Sequence, residues 1–419
     1  MPIDLFVIGL GYVGLPLARE ATLAGLSVAG FDLNQVLVDG LNSGHSHVDD
    51  ITDADISGML AGGFRATARE ADLGAADTVI VCVPTPLTAD NGPDLTAVRA
   101  AMQLAGRLLR PGMLVVLEST SYPGTTDEVV RPILEEVSGL SAGHDFSLAF
   151  SPERIDPGNQ HYRLRNTPKV VGGHTASCAD AAVGFYGKLC DEVVRARSAR
   201  EAEMAKLLEN TYRHVNIALV NEMTAFCHEL GIDLWDAINC AATKPFGFQA
   251  FYPGPGVGGH CIPIDPNYLG YKVRTLGYPF RFVELAQEIN ARMPGQVVDR
   301  AAEMLNRDAK ALRGSRVLLL GVTYKKDIAD QRESPATVIG RKLSDCGADL
   351  AYHDPYVTTW SPSGGPARRA ADPYAEAAAA DLVILLQNHS DYNLDLISRD
   401  ARQILDTRGC LAGPNVERL

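Results

Sequence analysis

Several features are absent or scarce in this sequence of 419 residues. It has no run of about 20 apolar residues, so no transmembrane helix is expected, and its start lacks the basic stretch of a signal peptide. Cations are outnumbered, since 38 Lys and Arg residues face 51 Asp and Glu residues and the net charge is −13. This balance argues against nucleic acid as a partner, because nothing would offset the repulsion of its phosphates. We therefore expect a cytoplasmic protein that binds neither membranes nor nucleic acid.

Cysteine pairs and metal-ligand clusters are missing as well. The eight cysteines are scattered, and none forms a CxxC pair or a Cys/His cluster. We expect reduced thiols and no metal site. Because most free cysteines are small core residues, we assign that role to Cys82, Cys178, Cys190, Cys227, Cys240, Cys346 and Cys410.

The chain does have length and an ordinary globular composition, with 46% hydrophobic and 21% charged residues. One core cannot organise 419 residues, so two or three domains are expected. In the first part, apolar runs typical of buried strands alternate with helical patterns, which predicts a doubly wound parallel sheet. The strand runs are residues 4–9, 27–32, 78–83, 113–118, 146–150 and 169–172, and the helical patterns include 14–25, 94–109 and 126–137.

The pattern changes near Ser198. Residues 201–230 carry apolar side chains at helical spacing and no strand signal, which predicts a long helix able to pair with another subunit. Alternation then resumes, with strands predicted at 316–321, 349–353 and 381–386 and helices at 334–346 and 370–380. We predict two Rossmann-like doubly wound α/β domains joined by an α-helical middle domain, with boundaries 1–197, 198–307 and 308–419.

A dinucleotide fingerprint follows the first predicted strand. Gly9-Leu10-Gly11-Tyr12-Val13-Gly14 closes a strand and opens a helix, which is the context that this motif requires. The glycines permit a tight turn, close approach of a pyrophosphate and close packing at the helix N-terminus. Asp32 ends the next strand, where its carboxylate would accept from both ribose hydroxyls and repel a 2′-phosphate. The sequence favours NAD over NADP, and the alternative is a tight turn without a ligand.

A second glycine-rich segment surrounds a cysteine. Glycines and prolines at positions 253–259 precede Cys261, and Asp265 lies four residues after that thiol. Glycine lets the backbone approach a bulky ligand without interference from a Cβ atom. On its own the segment is also compatible with a tight structural turn, and the fingerprint at the other end of the chain favours a ligand-binding loop.

Further segments occur in order along the chain: Glu118-Ser119-Thr120-Ser121-Tyr122-Pro123-Gly124-Thr125-Thr126, Ser151-Pro152-Glu153-Arg154, Lys206-Leu207-Leu208-Glu209-Asn210, Lys325-Lys326-Asp327 and Arg332-Glu333-Ser334-Pro335. Together with the two glycine-rich motifs, they resemble the UDP-glucose/GDP-mannose dehydrogenase family, the nucleotide-sugar 6-dehydrogenases. The resemblance spans nearly the whole chain. It implies an NAD-binding domain, a helical dimerisation domain that carries the cysteine loop, and a C-terminal α/β domain that binds the UDP-sugar.

The family oxidises the C6 alcohol of a sugar nucleotide to a carboxylate in two hydride transfers, using two NAD per turnover. By this resemblance, Cys261 adds to the aldehyde as a thiolate, and oxidation of the thiohemiacetal gives a thioester that water cleaves. A free cysteine has a pKa of about 8.5, so its thiolate needs cationic or hydrogen-bonding help. Lys206 and Asn210, spaced i, i+4 on one helix face, would stabilise the developing oxyanion.

The remaining catalytic assignments also follow from the resemblance. Asp265 would manage protons with an ordered water, Thr120 would hold that water, and Glu153 would act as the base for thioester hydrolysis. Plainer interpretations exist for these residue types. A lysine on a helix is usually a solvated charge, Asn210 is also suited to capping or packing, and Glu153 after Ser151-Pro152 is also suited to a helix start.

The resemblance assigns two binding sets. The cofactor set is Gly9, Gly11, Tyr12, Val13, Gly14, Asp32, Thr85, Pro86, Thr120 and Arg332. The substrate set is Glu153, Arg154, Lys206, Asn210, Arg213, Phe251, Tyr252, Gly256, Gly258 and Lys325.

Substrate choice rests on three segments that look like the branch acting on UDP-N-acetylhexosamines, namely 210–218, 243–248 and 288–294, with 151–159 in support. UDP-N-acetylglucosamine is the first choice, with UDP-N-acetylmannosamine or UDP-glucose as the alternatives. Two other functions stay open: a two-electron hydroxyacid dehydrogenase, which would not need Cys261, and a non-catalytic NAD sensor. A homodimer through the helix at 201–230 is expected.

Overall fold

The computed structural model describes residues 3–48, 50–88, 92–156, 159, 161–259 and 262–419. The chain divides into two compact units, one made of Met1–Glu209 with Asn267–Tyr278 and the other of Asn210–Pro266 with Pro279–Leu419. Within the described ranges, no helix combines the length and apolar character needed to span a bilayer.

The first unit is built on an eight-stranded sheet. Its elements are β1 (Ile3–Ile8), α1 (Gly14–Leu23), β2 (Val28–Phe31), α2 (Gln35–Asn42), α3 (Asp53–Ala61), β3 (Arg65–Thr67), a 3₁₀ helix (Glu70–Ala75), β4 (Ala76–Val81), α4 (Thr96–Leu108), β5 (Leu114–Leu117), a π-helical segment (Thr126–Val130), α5 (Arg131–Ser138), β6 (Ser147–Phe150), β7 (Lys169–Gly173), α6 (Ala176–Tyr186) and β8 (Val193–Arg195).

The strand order is β3-β2-β1-β4-β5-β6-β7-β8, and the neighbouring strands are parallel except for the antiparallel pair β6–β7. Apolar side chains cover both faces, because alternate residues of a strand point to opposite sides. Leu5 and Val7 of β1 join one core cluster, whereas Phe6 and Ile8 join another. The sheet is therefore buried on both faces, as a doubly wound fold requires.

The long helix α7 (Ala199–Glu229) begins in the first unit and ends in the second. It is followed by α8 (Leu234–Ala242), α9 (Asp265–Thr275), α10 (Arg281–Arg307), β9 (Arg316–Leu320), α11 (Pro335–Asp345), β10 (Asp349–His353), β11 (Arg368–Arg369), α12 (Pro373–Ala379), β12 (Leu382–Leu385), α13 (Leu394–Asp400), β13 (Ile404–Asp406) and β14 (Val416–Arg418). The second sheet has the order β11-β10-β9-β12-β13-β14 and is parallel at each pairing.

These two sheets and the intervening helices confirm the predicted fold class. The helix predicted at 201–230 is α7, which starts two residues earlier, and the helix predicted at 126–137 is a π-helical segment that continues into α5. The short strands β3, β8, β11, β13 and β14 were not predicted, because runs of two or three residues carry little periodicity. The boundaries 1–197, 198–307 and 308–419 stay a proposal.

The assignment of seven cysteines to the core is wrong for three of them. Cys178, Cys190 and Cys227 are buried and Cys82 is half-buried, but Cys240, Cys346 and Cys410 are exposed. Cys240 lies in the last turn of α8, Cys346 directly follows α11, and Cys410 lies four residues after β13. All seven are free thiols.

Candidate active site

The fingerprint loop between β1 and α1 has the shape that its glycines predict. Gly9 has a φ of +93°, and a Cβ atom there would lie 2.6 Å from the Cys82 carbonyl oxygen. A Cβ atom on Gly14 would lie 1.9 Å from the carbonyl oxygen of Gly9, whereas one on Gly11 would meet nothing within 4 Å. Two glycines therefore close the turn, and the third leaves open space at the N-terminus of α1, where a phosphate fits.

Asp32 stands beside this turn at the end of β2. Its Oδ2 accepts the Leu10 N–H at 3.1 Å, and its Oδ1 accepts the Asn34 N–H at 2.9 Å. Tyr12 and Val13 are half-buried over the same turn. Because the carboxylate is held at the edge of the loop, the residues present fit the ribose and pyrophosphate of NAD.

Thr85, Pro86 and Thr120 belong to the segments that follow β4 and β5. The Thr85 hydroxyl donates to the Thr120 carbonyl oxygen at 2.8 Å, and the Tyr268 hydroxyl donates to the Thr85 carbonyl oxygen. Thr120 is half-buried, and Pro86 is exposed. These bonds fix Thr120 where two adjacent strands end, which is the edge where ligands bind in open α/β sheets.

Lys206 and Glu153 are brought together in the first unit. Lys206 is half-buried on α7, and its Nζ donates to the main-chain oxygen of Glu153 at 2.6 Å. The Glu153 carboxylate is turned back on its own chain, because Oε1 accepts the N–H groups of Arg154 at 2.6 Å and Ile155 at 2.5 Å. This lysine is therefore held in place by a tight turn and is not a freely solvated charge.

Asn210 and Asp265 are brought together in the second unit. The Asn210 side-chain N–H donates to Asp265 Oδ2 at 2.5 Å, and the two residues are only 5% and 3% exposed. Asp265 is the first residue of α9. Cys261, predicted as the nucleophile, lies outside the described residues, four positions before Asp265.

The glycine-rich loop packs against the segment at 324–335 of the same unit. A Cβ atom on Gly258 would lie 2.6 Å from Tyr324 Cβ and 2.8 Å from the Glu333 carbonyl oxygen. Gly256 has a φ of +133°, and the Gly259 N–H donates to the Arg332 carbonyl oxygen at 3.1 Å. The glycines are needed here for close backbone packing as well as for any ligand.

The aromatic and cationic residues of the predicted substrate set differ in their surroundings. Phe251 packs edge-on against Tyr212, with ring centroids 5.6 Å apart, and Tyr252 donates through its hydroxyl to Asn239 Oδ1 at 2.8 Å. Arg213 is exposed on α7, and Lys325 is half-buried.

Two predicted binding arginines are ion-paired with carboxylates of the protein. Arg154 lies 2.9 Å from Glu209 and donates to the Pro168 carbonyl oxygen at 2.7 Å. Arg332 lies 2.6 Å from Asp330. Each guanidinium already has an anionic partner, so the structure does not present either one as an unoccupied anion site.

Sequence reasoning missed Arg408, which lies at the carboxyl end of β13. Its guanidinium lies 3.3 Å from the position of a Cβ atom on Gly254, and its Nε donates to the Leu386 carbonyl oxygen at 2.7 Å. Burial lowers the pKa of Arg408 to about 10, which leaves it charged at neutral pH. No spacing motif surrounds this arginine, so only its place beside the glycine-rich loop marks it as a candidate anion ligand.

The chain matches known proteins along almost its full length. Residues 3–190 match the NAD binding domain of the UDP-glucose/GDP-mannose dehydrogenase family, residues 200–292 its central domain and residues 318–413 its UDP binding domain. UDP-N-acetyl-D-glucosamine 6-dehydrogenase from Pseudomonas aeruginosa is 36% identical over 396 residues, which cover 92% of this chain and 90% of the relative. NDP-N-acetyl-D-galactosaminuronic acid dehydrogenase from Ralstonia solanacearum is 34% identical over 414 residues, which cover 96% and 95%.

A solved structure is similar over the whole fold. UDP-D-ManNAc dehydrogenase from Pyrococcus horikoshii superposes with a TM-score of 0.90 at 30% identity, covering 99% of both chains. The similar proteins therefore include three whose names carry three different N-acetylated sugars.

Proposed function

Because this chain belongs to the UDP-glucose/GDP-mannose dehydrogenase family, we propose that it oxidises the C6 hydroxyl of a UDP-N-acetylhexosamine to a carboxylate. The family match confirms the resemblance drawn from the motifs and identifies an NAD-dependent UDP-sugar dehydrogenase. The proposal adds a substrate class and a four-electron course through Cys261, with UDP-N-acetylglucosamine as the first choice of substrate.

The residues around the fingerprint loop would hold the cofactor. Gly9, Gly11 and Gly14 shape the turn, and Asp32 receives the ribose hydroxyls. NAD, when bound, accepts the hydride removed from the sugar. The proposed cofactor set is completed by Tyr12, Val13, Thr85, Pro86 and Thr120. Arg332 joins it only if its guanidinium leaves Asp330.

The observation that carries the proposal is the contact of Asn210 with Asp265 at 2.5 Å. It fixes a buried carboxylate four residues from Cys261, where a proton must leave the alcohol and later the thiohemiacetal. Lys206 lies one helical turn before Asn210 on α7, so one helix supplies a cation and an amide donor. Such donors stabilise the negative charge that develops on the oxygen bonded to the reacting carbon.

The remaining roles follow the chemistry of a thioester. Cys261 would add to the aldehyde, and water would cleave the thioester formed at the second oxidation. Thr120 would hold the ordered water that Asp265 uses in the alcohol oxidation. Glu153 is proposed as the base for that step, although its carboxylate already accepts two N–H groups. The proposed contacts of the nucleotide and sugar are Phe251, Tyr252, Gly256, Gly258, Arg213 and Lys325. Arg154 joins them only if its guanidinium leaves Glu209.

A homodimer through α7 is part of the proposal. The helix exposes large apolar side chains on its surface, with Leu208 59%, Leu219 55% and Phe226 47% exposed. Exposed apolar residues at near-helical spacing indicate a face that a partner covers. A second copy of the chain is the partner that the family resemblance implies.

The substrate and the electron count are tested together by one assay. NADH is measured at completion for limiting UDP-N-acetylglucosamine, UDP-N-acetylmannosamine, UDP-N-acetylgalactosamine and UDP-glucose. We expect two NADH per sugar for one hexosamine, and loss of this yield in the Cys261→Ser variant. One NADH per sugar, or an unimpaired Cys261→Ser variant, would favour the two-electron hydroxyacid dehydrogenase. If the protein binds NAD but forms NADH with none of the four sugar nucleotides, the result would favour a non-catalytic NAD sensor.

A further inference from the structure

Four buried ionisable side chains form a cluster at the turn that Glu153 closes with the N–H groups of Arg154 and Ile155. The exposed fraction is 2% for Lys169, 1% for Glu118, 8% for Glu153 and 0% for Tyr186. The Lys169 ammonium lies 3.0 Å from Glu118 Oε1 and 3.2 Å from Glu153 Oε2. The Tyr186 hydroxyl donates to the same oxygen of Glu118. One cation therefore links two carboxylates that would otherwise repel each other.

The sheet topology explains why these residues meet. Glu118 follows β5 and Glu153 follows β6, so both lie beyond the carboxyl ends of neighbouring parallel strands. In the antiparallel pair β6–β7, Phe150 is opposite Gly172 and Ala149 is opposite Gly173. The same register, continued by three residues, sets Glu153 opposite Lys169. Lys169, the first residue of β7, therefore lies at the edge of the sheet where β5 and β6 end.

Burial of these charges is not explained by stability alone. Replacing a buried ion pair with apolar side chains of similar volume is often neutral or stabilising. Burial raises the pKa of Glu118, against the opposing effect of Lys169. Burial also opposes the charge on Lys169, but the carboxylates Glu118 and Glu153 outweigh it and raise the pKa of Lys169. Perturbed ionisable groups at the ligand-binding edge of a sheet are a mark of function.

Glu153 connects this cluster to Lys206, the residue proposed to stabilise the oxyanion. Glu153 Oε2 faces Lys169, Oε1 closes the turn through two N–H groups, and the main-chain oxygen accepts the Lys206 ammonium at 2.6 Å. A shift of the carboxylate would therefore move the carbonyl that orients Lys206.

We propose that Lys169 is a positioning residue: its ammonium fixes the Glu153 carboxylate, which in turn fixes the main-chain carbonyl that orients Lys206. Glu118 and Tyr186 hold Lys169 from the other side. The inference rests on the proposed function, because the proposed function gives Lys206 the role of stabilising the oxyanion. Without the Lys169 ammonium, Glu118 and Glu153 repel each other, and the turn moves away from the position that receives Lys206.

The test compares Lys169→Met with Lys188→Met, a matched change of an exposed lysine in the same unit. Two readouts are taken on the full-length protein: steady-state kinetics with the sugar that gives two NADH, and acetylation of Lys206 by limiting acetic anhydride, followed by peptide mass spectrometry. We expect Lys169→Met to lower kcat by about 10- to 100-fold with an unchanged KM for NAD, as for a misplaced catalytic group. Acetylation of Lys206 should rise at least about threefold, because its ammonium is released from the Glu153 carbonyl. The Lys188→Met variant should match the wild type in both.

A second variant covers the case in which Lys169→Met does not fold. Lys169→Met combined with Glu118→Gln removes one of the two facing carboxylates, so the pocket keeps no pair of like charges. We expect it to fold and to show the same direction of change in kcat and in Lys206 acetylation. A folded variant of either kind with wild-type kcat and wild-type Lys206 acetylation would overturn the proposal. If the wild-type protein makes no NADH from any sugar nucleotide, the proposed function fails, and Lys206 acetylation still decides whether Lys169 positions it.

Discussion

Replacement of Asn210 by Asp tests the buried pair that carries the proposed function. In the Asn210→Asp variant, two carboxylates would face each other where a donor and an acceptor now lie 2.5 Å apart. Both positions are almost fully buried, so one carboxylate must take up a proton and its pKa is raised. We expect a loss of about 3–5 kcal/mol in the free energy of unfolding at pH 8, the cost of an unpaired buried charge.

The sign of the pH dependence follows from that raised pKa. An acid that holds its proton more tightly in the folded state contributes stability at low pH, and the contribution is lost as the pH rises through the raised pKa. The variant should therefore be most stable in acid, and urea unfolding at pH 5, 6.5 and 8 measures this. An Asn210→Leu control removes the donor without adding charge and should cost about 1.5–3 kcal/mol at each pH.

The exchange variant separates stability from catalysis. Asn210→Asp combined with Asp265→Asn restores one donor and one acceptor with the direction reversed, so stability should return to within about 1 kcal/mol of the wild type. The value of kcat should stay lower by about 10²- to 10³-fold, because the amide donor and the proton acceptor have changed places. Full activity in the exchange variant, or an Asn210→Asp variant as stable as the wild type at pH 8, would refute this account of the pair.

Three further predictions address other parts of the molecule. Burial lowers the pKa of His214 from 6.5 to about 4, so the neutral imidazole contributes about 3 kcal/mol of stability that is present above pH 6.5 and lost as the pH falls toward 4. Urea unfolding should show this loss in the wild type and not in His214→Gln. The same dependence of unfolding free energy on pH in both proteins would contradict the prediction. Gly258→Ala should lower the free energy of unfolding by about 1–3 kcal/mol through overpacking against Tyr324. Gly58→Ala, in α3 with nothing within 4 Å of its Cβ, should raise it by about 0.5–1 kcal/mol. Thermal unfolding measures both changes, and equal shifts in the two variants would count against the packing argument. Asp32→Asn should weaken the binding of NAD about tenfold or more and reduce the preference for NAD over NADP. Titration calorimetry with both cofactors measures both affinities.

Local spacing was enough to predict the parts of the site that one segment builds alone. The fingerprint glycines and Asp32 were predicted because the turn, the helix start and the end of the next strand occur within about 25 residues. Asn210 and Asp265 were each assigned roles from their motifs. Their contact was not, since it joins positions 55 residues apart in the chain.

The rest depends on tertiary pairing that sequence periodicity does not contain. Lys169 was predicted only as the start of a strand, because its partner Glu153 is set by the antiparallel register of β6 and β7. The ion pair of Arg154 with Glu209 was missed for the same reason, because it joins positions 55 residues apart in the chain. Three exposed cysteines, Cys240, Cys346 and Cys410, were assigned to the core. That assignment used residue type alone, which does not determine the exposure of an individual side chain.

The central claim is a covalent link between Cys261 and the half-oxidised sugar, and an acid quench tests it directly. The full-length protein is mixed with NAD and the accepted UDP-hexosamine, quenched in acid during turnover, and digested for mass spectrometry of the peptide that contains Cys261. We predict a substrate-dependent adduct on Cys261 with the mass of the uronyl thioester, which hydroxylamine removes. Complete oxidation with two NADH per sugar, an unmodified Cys261 throughout turnover and an active Cys261→Ser variant would contradict the account.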